Sequence, residues 1–274
     1  MPKHLSGEAI AQYERDGFYF PIQAISTAEA CAIRADVEAA ERHFAERGER
    51  MRHRPHLVVT ALDRLIRNET VLDAVEDLLG PNLLCWTSLF FTKDAHDPAF
   101  VSMHQDSTYW GLSSVEVVTA WIALSPSTLE SGAMRFAPGS HKLDQIPHRD
   151  TFDEHNMLTR GQIVEHEVDE DEAVDVVLQP GEASLHHVRL IHGSGPNRSD
   201  DRRIGFAIRY IPTHVRNVVG RDCAALVRGV DEYGYFDSER RPASDLEPEA
   251  LAAYEAANAS HNAVLYAGAA QMRG

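Results

Sequence analysis

The chain has 274 residues, 43% of them apolar and 25% charged, which is ordinary globular usage, fits one large β-rich domain, and excludes a disordered or fibrous class. A formal charge of −16 opposes binding to phosphate backbones and anionic bilayers, so neither a nucleic acid nor a membrane is an expected partner. The three cysteines, Cys31, Cys85 and Cys223, are odd in number and widely spaced, which fits neither a disulfide framework nor a zinc site; they read as packing residues in a reducing compartment.

The opening stretch "MPKHLSGEAIAQYERDGF" has no apolar signal-peptide core, and no later run approaches the roughly 20 apolar residues of a spanning helix, so a cytoplasmic location is expected. Ser6 is a helix N-cap candidate ahead of apolar residues at helical spacing, with Gly17 as the stop before the strand-like "FYFP". Residues 27–47 and 69–79 read as two further helices, the second ending at Gly80. From "NLLCWTSLFFTK" onward short β-prone runs take over, namely "VEVVTAWIAL", "AMRFAPGSH", "AVDVVL", "EASLHHVRLIHG" and "RIGFAIRYIP". Their spacing suggests a barrel or jelly roll. The acidic stretch 144–172 is long for a hairpin connection and reads as an active-site lid or as a disordered surface insertion. A last helix is expected from Pro248 to Asn258.

Within "MHQDSTYWGL", strand alternation sends His104 and Asp106 to one face, where they can present a nitrogen and an oxygen to a common point. His192 closes a later strand-like run, just ahead of the turn residues Gly193, Gly195 and Pro196. Two histidines and a carboxylate form the facial triad that holds non-haem Fe(II) and leaves coordination positions open for a co-substrate and O2. Arg203 lies on the returning strand, where its guanidinium could take the far carboxylate of a dicarboxylic acid such as 2-oxoglutarate. Its neighbour Arg202 faces the other way by alternation, so only one of them reaches the pocket. His141, in the turn "APGSHK", is not read as a ligand.

The blocks "MHQDSTYWGL", "TAWIALSPSTLESGAMRFAPGSHK" and "LIHGSGPNRSDDRRIGFAIRY" together resemble the phytanoyl-CoA dioxygenase family of Fe(II)/2-oxoglutarate oxygenases. The resemblance implies a mainly β fold with flanking α-helices, a double-stranded β-helix or cupin-like jelly roll. It sets out a single domain over 1–274, with a mainly helical flank at 1–80, the jelly-roll core at 82–212 and a C-terminal extension at 213–274. It further implies that His104, Asp106 and His192 bind iron and that Arg203 anchors 2-oxoglutarate. Ser194 then adds a hydroxyl, Leu89 and Gln105 are co-substrate contacts, and Trp121 is either a wall of that pocket or ordinary core. His56, Lys93, Tyr109 and His187 are further pocket candidates. Lys93 could equally be a solvated strand end, and His186 and His187 could both be structural. The implied reaction is hydroxylation of an unactivated C–H bond in a small metabolite or natural-product intermediate, with release of succinate and CO2 and with ascorbate keeping the iron reduced. Because Asp106 fills the position that related halogenases leave open, chlorination is disfavoured. Desaturation or cyclisation, a non-catalytic metal-binding jelly roll, and a metal-dependent hydrolase or isomerase are the alternatives. The acidic surface speaks against an acyl-CoA unless Arg50, Arg52 and Arg54 cluster at the pocket mouth. The oligomeric state is open.

Overall fold

Helices in the first third start where a side chain satisfies the free N–H groups of a first turn. In a computed structural model, which describes residues 2–265 apart from 159 and 170, Ser6 caps α1 (Gly7–Asp16) by accepting from Ala9 N at 3.1 Å. Ser26 and Glu29 form a reciprocal capping box on α2 (Thr27–Glu46), and Asn68 accepts from Val71 N at 3.0 Å to start α4 (Glu69–Leu79). α1 stops at Gly17, whose φ of 87° suits glycine and whose missing Cβ makes room for the His141 ring. A short α3 (Thr60–Leu65) was not expected, because six residues are too few to show a helical period.

The strands form a jelly roll of two facing sheets. The larger has the order β1-β9-β4-β11-β2-β12-β13 and the smaller β3-β10-β5-β8. In chain order they are β1 (Phe18–Gln23), β2 (Leu83–Lys93), β3 (Val101–His104), β4 (Val118–Ala123), β5 (Met134–Phe136), β8 (Val174–Val176), β9 (Glu182–His187), β10 (His192–Ser194), β11 (Arg203–Pro212), β12 (Cys223–Arg228) and β13 (Asp237–Ser238). Both faces of the large sheet are covered, so β11 is buried throughout. Ile204, Phe206, Ile208 and Tyr210 pack outward against the helices, in one apolar cluster with Leu62, Leu72 and Val75. Ala207 packs inward with Trp121, Phe136 and Leu178 between the sheets.

The structure departs from the sequence reading in several places. The large sheet extends beyond 82–212 at both edges: β1 pairs with β9, and β12 pairs with β2. The run "EASLHHVRLIHG" divides into β9 and β10, which lie in different sheets, with a turn closed by Leu190 N donating to His187 O at 2.9 Å. Within segment 144–172, β6 (His148–Arg149) and β7 (Ile163–Val164) pair with each other, and Asn156 Nδ2 donates to Ser102 Oγ in β3 at 2.8 Å. The last helix, α5, spans Pro248–Leu265, past the expected end at Asn258. Cys85 is buried as expected of a packing residue, whereas Cys31 is exposed. Among the described residues no helix is long and apolar enough to cross a membrane.

Candidate active site

Antiparallel pairing of β3 with β10 puts His104 directly opposite His192, with ring centroids 4.3 Å apart. Each imidazole is oriented by its own backbone: Nδ1 donates to a carbonyl two residues back, that of Ser102 for His104 and that of Leu190 for His192, both at 2.9 Å. This fixes the tautomer and leaves each Nε2 as the available lone pair. His104 Nε2 is buried without a hydrogen-bond partner. It lies 3.5 Å from Asp106 Oδ1. One ligand atom from each of His104, Asp106 and His192 falls within 4.8 Å of the others. The route to this geometry differs from simple strand alternation. β3 ends at His104, and Asp106 opens a single 3-10 turn, Asp106–Tyr109, whose first N–H donates to Val188 O at 3.1 Å.

Burial opposes ionisation of Asp106, but Arg209 and the two imidazoles outweigh it and hold the carboxyl well below its usual range. Arg209 Nη2 is 3.4 Å from Asp106 Oδ1, and its guanidinium stacks 4.0 Å from the Trp110 ring centroid. For His192, burial first and the neighbouring His104 second lower the imidazole to about 4, so it is neutral at physiological pH. Two imidazoles and one carboxylate, with an orphaned buried nitrogen on His104 beside them, fit a borderline-hard divalent ion such as Fe(II).

The triad lines a cavity that also takes in Phe91, Trp121, His186, Ser194, Arg203 and Arg209. At the end away from Arg209, Arg203 is 1% exposed, and burial brings its guanidinium down to about 10. Its Nη1 donates to Gly132 O, its Nε is unpartnered, and the group sits 5.4 Å from the Trp121 ring centroid. Beside it, Lys93 Nζ donates to Ser194 Oγ at 2.7 Å and to Gly195 O. No carboxylate among the described residues forms an ion pair with Arg203 or Lys93. A buried guanidinium without an anion is costly, and the Arg203 end of the cavity is suited to receive one.

The sequence matches the Phytanoyl-CoA dioxygenase (PhyH) family over residues 11–205. The chain belongs to the phytanoyl-CoA dioxygenase family. It is 34% identical over 158 residues to a "Probable alpha-ketoglutarate-dependent hypophosphite dioxygenase" of Stutzerimonas stutzeri, in a match covering 57% of this chain and 54% of the relative. The chain thus spans about half the length of the curated relatives it matches. Among solved structures it resembles the "non-heme monooxygenase; ThoJ apo" at 35% identity and TM-score 0.87, over 94% of this chain and 98% of that one. It also resembles "CytC3 with Fe(II) and alpha-ketoglutarate" at 26% identity and TM-score 0.64, over 89% and 97%.

The residues that the phytanoyl-CoA dioxygenase resemblance picked out do not all meet at this cavity. Trp121 is both cavity wall and core, 1% exposed with Leu89 and Phe136 in the inter-sheet cluster. Leu89 stays within that cluster, and Phe91, two residues along the same strand face, reaches the cavity. Gln105 points away: its Nε2 donates to Arg189 O at 3.0 Å, and its Oε1 accepts from Ile146 N at 2.9 Å and Gln145 Nε2 at 3.0 Å. It fastens the start of the 144–172 segment to the His-x-Asp turn. His56 lies outside the cavity in a buried network, with Nδ1 2.6 Å from Ser88 Oγ and Nε2 2.9 Å from Glu239 Oε2. Of the histidine pair it is His186 that lines the cavity, its ring 4.8 Å from that of His192. His187 instead packs 5.4 Å from His141. His141 accordingly stays clear of the triad, with Nε2 near Glu14 O at 3.2 Å. The Tyr109 side chain is outside the described residues. Lys93 is fully buried, so it is not a solvated strand end. Arg202 faces outward and grips Glu41 through both carboxylate oxygens, at 2.6 and 2.9 Å.

Arg209 escaped the sequence reading, although its signal was present. It follows Arg203 on the same face of β11, separated by Gly205 and Ala207. A Cβ on Gly205 would run into the Trp121 ring. The small residues between the arginines therefore leave room for that ring.

Proposed function

We propose that this protein is an Fe(II)- and 2-oxoglutarate-dependent dioxygenase that hydroxylates an unactivated C–H bond of a small molecule. One observation carries the reading: a His-Asp-His triad and a buried arginine, Arg203, with no carboxylate ion-paired to it among the described residues, share one cavity. His104 Nε2, an Asp106 carboxylate oxygen and His192 Nε2 would hold the iron. Bound there, iron and 2-oxoglutarate supply the oxidising power with O2, leaving succinate, CO2 and a hydroxylated product; ascorbate serves only to keep the metal reduced.

The chain's own residues prepare that chemistry. Ser102 O and Leu190 O fix the imidazole rotations. Arg209 keeps Asp106 charged and aimed at the metal position. Arg203 offers its unfilled fork, and Ser194 its hydroxyl, to the distal carboxylate of the co-substrate, beside the indole of Trp121. Phe91, Val101, Met134 and Ala207 line the cavity with apolar surface, which excludes water and strengthens the charged contacts inside. The reading that relies on a resident dicarboxylate anchor distinguishes an oxygenase from a metal hydrolase, which has no need of one.

A small metabolite or natural-product intermediate suits the cavity better than an acyl-CoA. Arg54, one of the basic residues that could have gathered at the mouth, is fully buried and held by Asp222 at 2.8 Å and by Glu239. The test is succinate release from 2-oxoglutarate by the Fe(II)-loaded protein, screened against candidate substrates, alongside iron retention. Wild-type protein is expected to bind one iron and to couple succinate to substrate. Asp106→Ala should lose both, because the triad's only charged ligand is gone. Iron retention and turnover in Asp106→Ala would sink the assignment.

A further inference from the structure

We propose that Lys93 is the second cation of the co-substrate site, and that it is charged only when the carboxylate is present: an amine in the free protein, an ammonium with 2-oxoglutarate bound. The proton comes from solvent, so co-substrate binding takes up one proton. The inference rests on reading this cavity as a 2-oxoglutarate site.

β2 and β11 pair antiparallel with Lys93 directly opposite Arg203, and Lys93 Nζ donates to Ser194, which lines the cavity together with Arg203. Lys93 and Arg203 are both at most 1% exposed. Arg203 retains its charge under almost any burial, because its guanidinium is intrinsically so basic. Lys93 is the member of the pair that can yield: a buried ammonium facing a permanent cation, with no carboxylate in ion-pair range, loses its proton readily. Its partners are neutral acceptors, the Ser194 hydroxyl and the Gly195 carbonyl, which an amine satisfies as well as an ammonium does.

The surrounding charges leave this balance standing. Asp97, in the connection after β2, acts on Lys93 only at a distance, and its pull is smaller than the combined push of burial and Arg203, which brings the lysine down to about 6. Asp97 Oδ1 accepts from Ala99 N at 2.9 Å. The adjacent Asp94 is drawn to the outer face, 3.0 Å from Arg202 Nε. From β10 and the turn after it come only Ser194 and Gly195. A carboxylate arriving at Arg203 and Ser194 reverses the field at Lys93 and makes the ammonium the stable form. Lys93 also positions the hydroxyl: with its Nζ donating to Ser194 Oγ, the serine's own hydrogen is free to point into the cavity that Ser194 lines.

The test is calorimetric titration of 2-oxoglutarate into Ni(II)-loaded protein at about pH 8, in two buffers of different ionisation enthalpy, so that the difference in heat counts protons. Wild type is expected to take up most of one proton per 2-oxoglutarate. It should take up none with 2-oxovalerate, which has the chelating end but no distal carboxylate. Lys93→Met should take up none with either acid and bind 2-oxoglutarate about tenfold more weakly, the loss of one charge-assisted hydrogen bond, while 2-oxovalerate affinity and Ni(II) retention stay near wild type. The inference is overturned if wild type takes up no proton, if 2-oxovalerate elicits the same uptake, or if the uptake survives in Lys93→Met. The comparison of the two acids on wild type needs no variant, so it decides even if Lys93→Met fails to fold. Should wild type not bind 2-oxoglutarate at all, the proposed function falls instead.

Discussion

At the scale of single residues, two adjacent arginines at the start of β11 have different tasks. Arg203 faces the cavity with its Nε unsatisfied, whereas Arg202, one position earlier, anchors the start of β11 to Glu41 on α2. A lysine at position 203 keeps the charge but loses the planar fork that meets both oxygens of a carboxylate. Arg203→Lys should therefore raise the dissociation constant for 2-oxoglutarate about tenfold or more, since each charge-assisted hydrogen bond contributes roughly 1.5–3 kcal/mol. Metal affinity should hardly change. Arg202→Lys should leave the 2-oxoglutarate constant within about twofold, because its partners, the half-buried Glu41 and the exposed Asp94, lie on the outer face away from the cavity. Titrating both variants against wild type checks the pair, and a larger loss for Arg202→Lys would contradict the register that places Arg203 inside.

At the scale of elements, what could be read from the sequence was whatever a local signal announces. Ser6 announces α1, and apolar spacing announces helices at 27–47 and 69–79, where the structure has α2 and α4 capped by Ser26 and Asn68. The capping box on α2 gives a direct check. Ser26→Ala removes the acceptor for Glu29 N and the hydroxyl that donates to the Glu29 carboxylate, leaving only the backbone N–H of residue 26 on that carboxylate, at a cost of about 1 kcal/mol. For a chain of this size that is a fall of roughly 2–4 °C in Tm, with 2-oxoglutarate binding unchanged; a melting curve in the presence and absence of metal measures both. Elements without a local signal stayed hidden. α3 is too short for a period, β12 and β13 lie in a tail with little alternation, and the crossing between β9 and β10 is a tertiary event inside one apolar run. The site shows the same division. His104, Asp106, His192 and Arg203 lie in motif-bearing segments, whereas His56 and Gln105 take part in contacts with Glu239 and Ile146 across long stretches of sequence. Nothing local in "PHL" or "HQD" says which way those side chains turn.

At the scale of the whole molecule, the fold lowers several basic groups inside and outside the cavity below their ordinary range, and that sets how stability responds to pH. Burial is the chief cause that lowers His141, His148 and His186, and it brings His187 and His192 down to about 4. In the unfolded chain a histidine titrates near 6.5. Between about pH 6.5 and 4 the unfolded chain therefore binds protons that the folded metal-free protein refuses, and stability falls as pH falls through that window. The carboxylates held low, Asp106 and Glu239, act further down, because their contribution is present above the usual carboxylate range and is lost only below it. Lys93 adds a separate limb at higher pH. Its folded value of about 6 lies far below the ordinary 10.5, so from about pH 10 down to 6 the unfolded chain again holds one proton more, and stability declines by about 1.4 kcal/mol per pH unit. Denaturant unfolding of the metal-free protein across this range should show a shallow slope above neutrality and a steeper fall below about pH 6.5, where several histidines act together. Lys93→Met should flatten the upper limb and leave the lower fall in place. A stability that stays level down to pH 4 and collapses only there would mean that the carboxylates lead, and that the histidines are not held neutral by the fold.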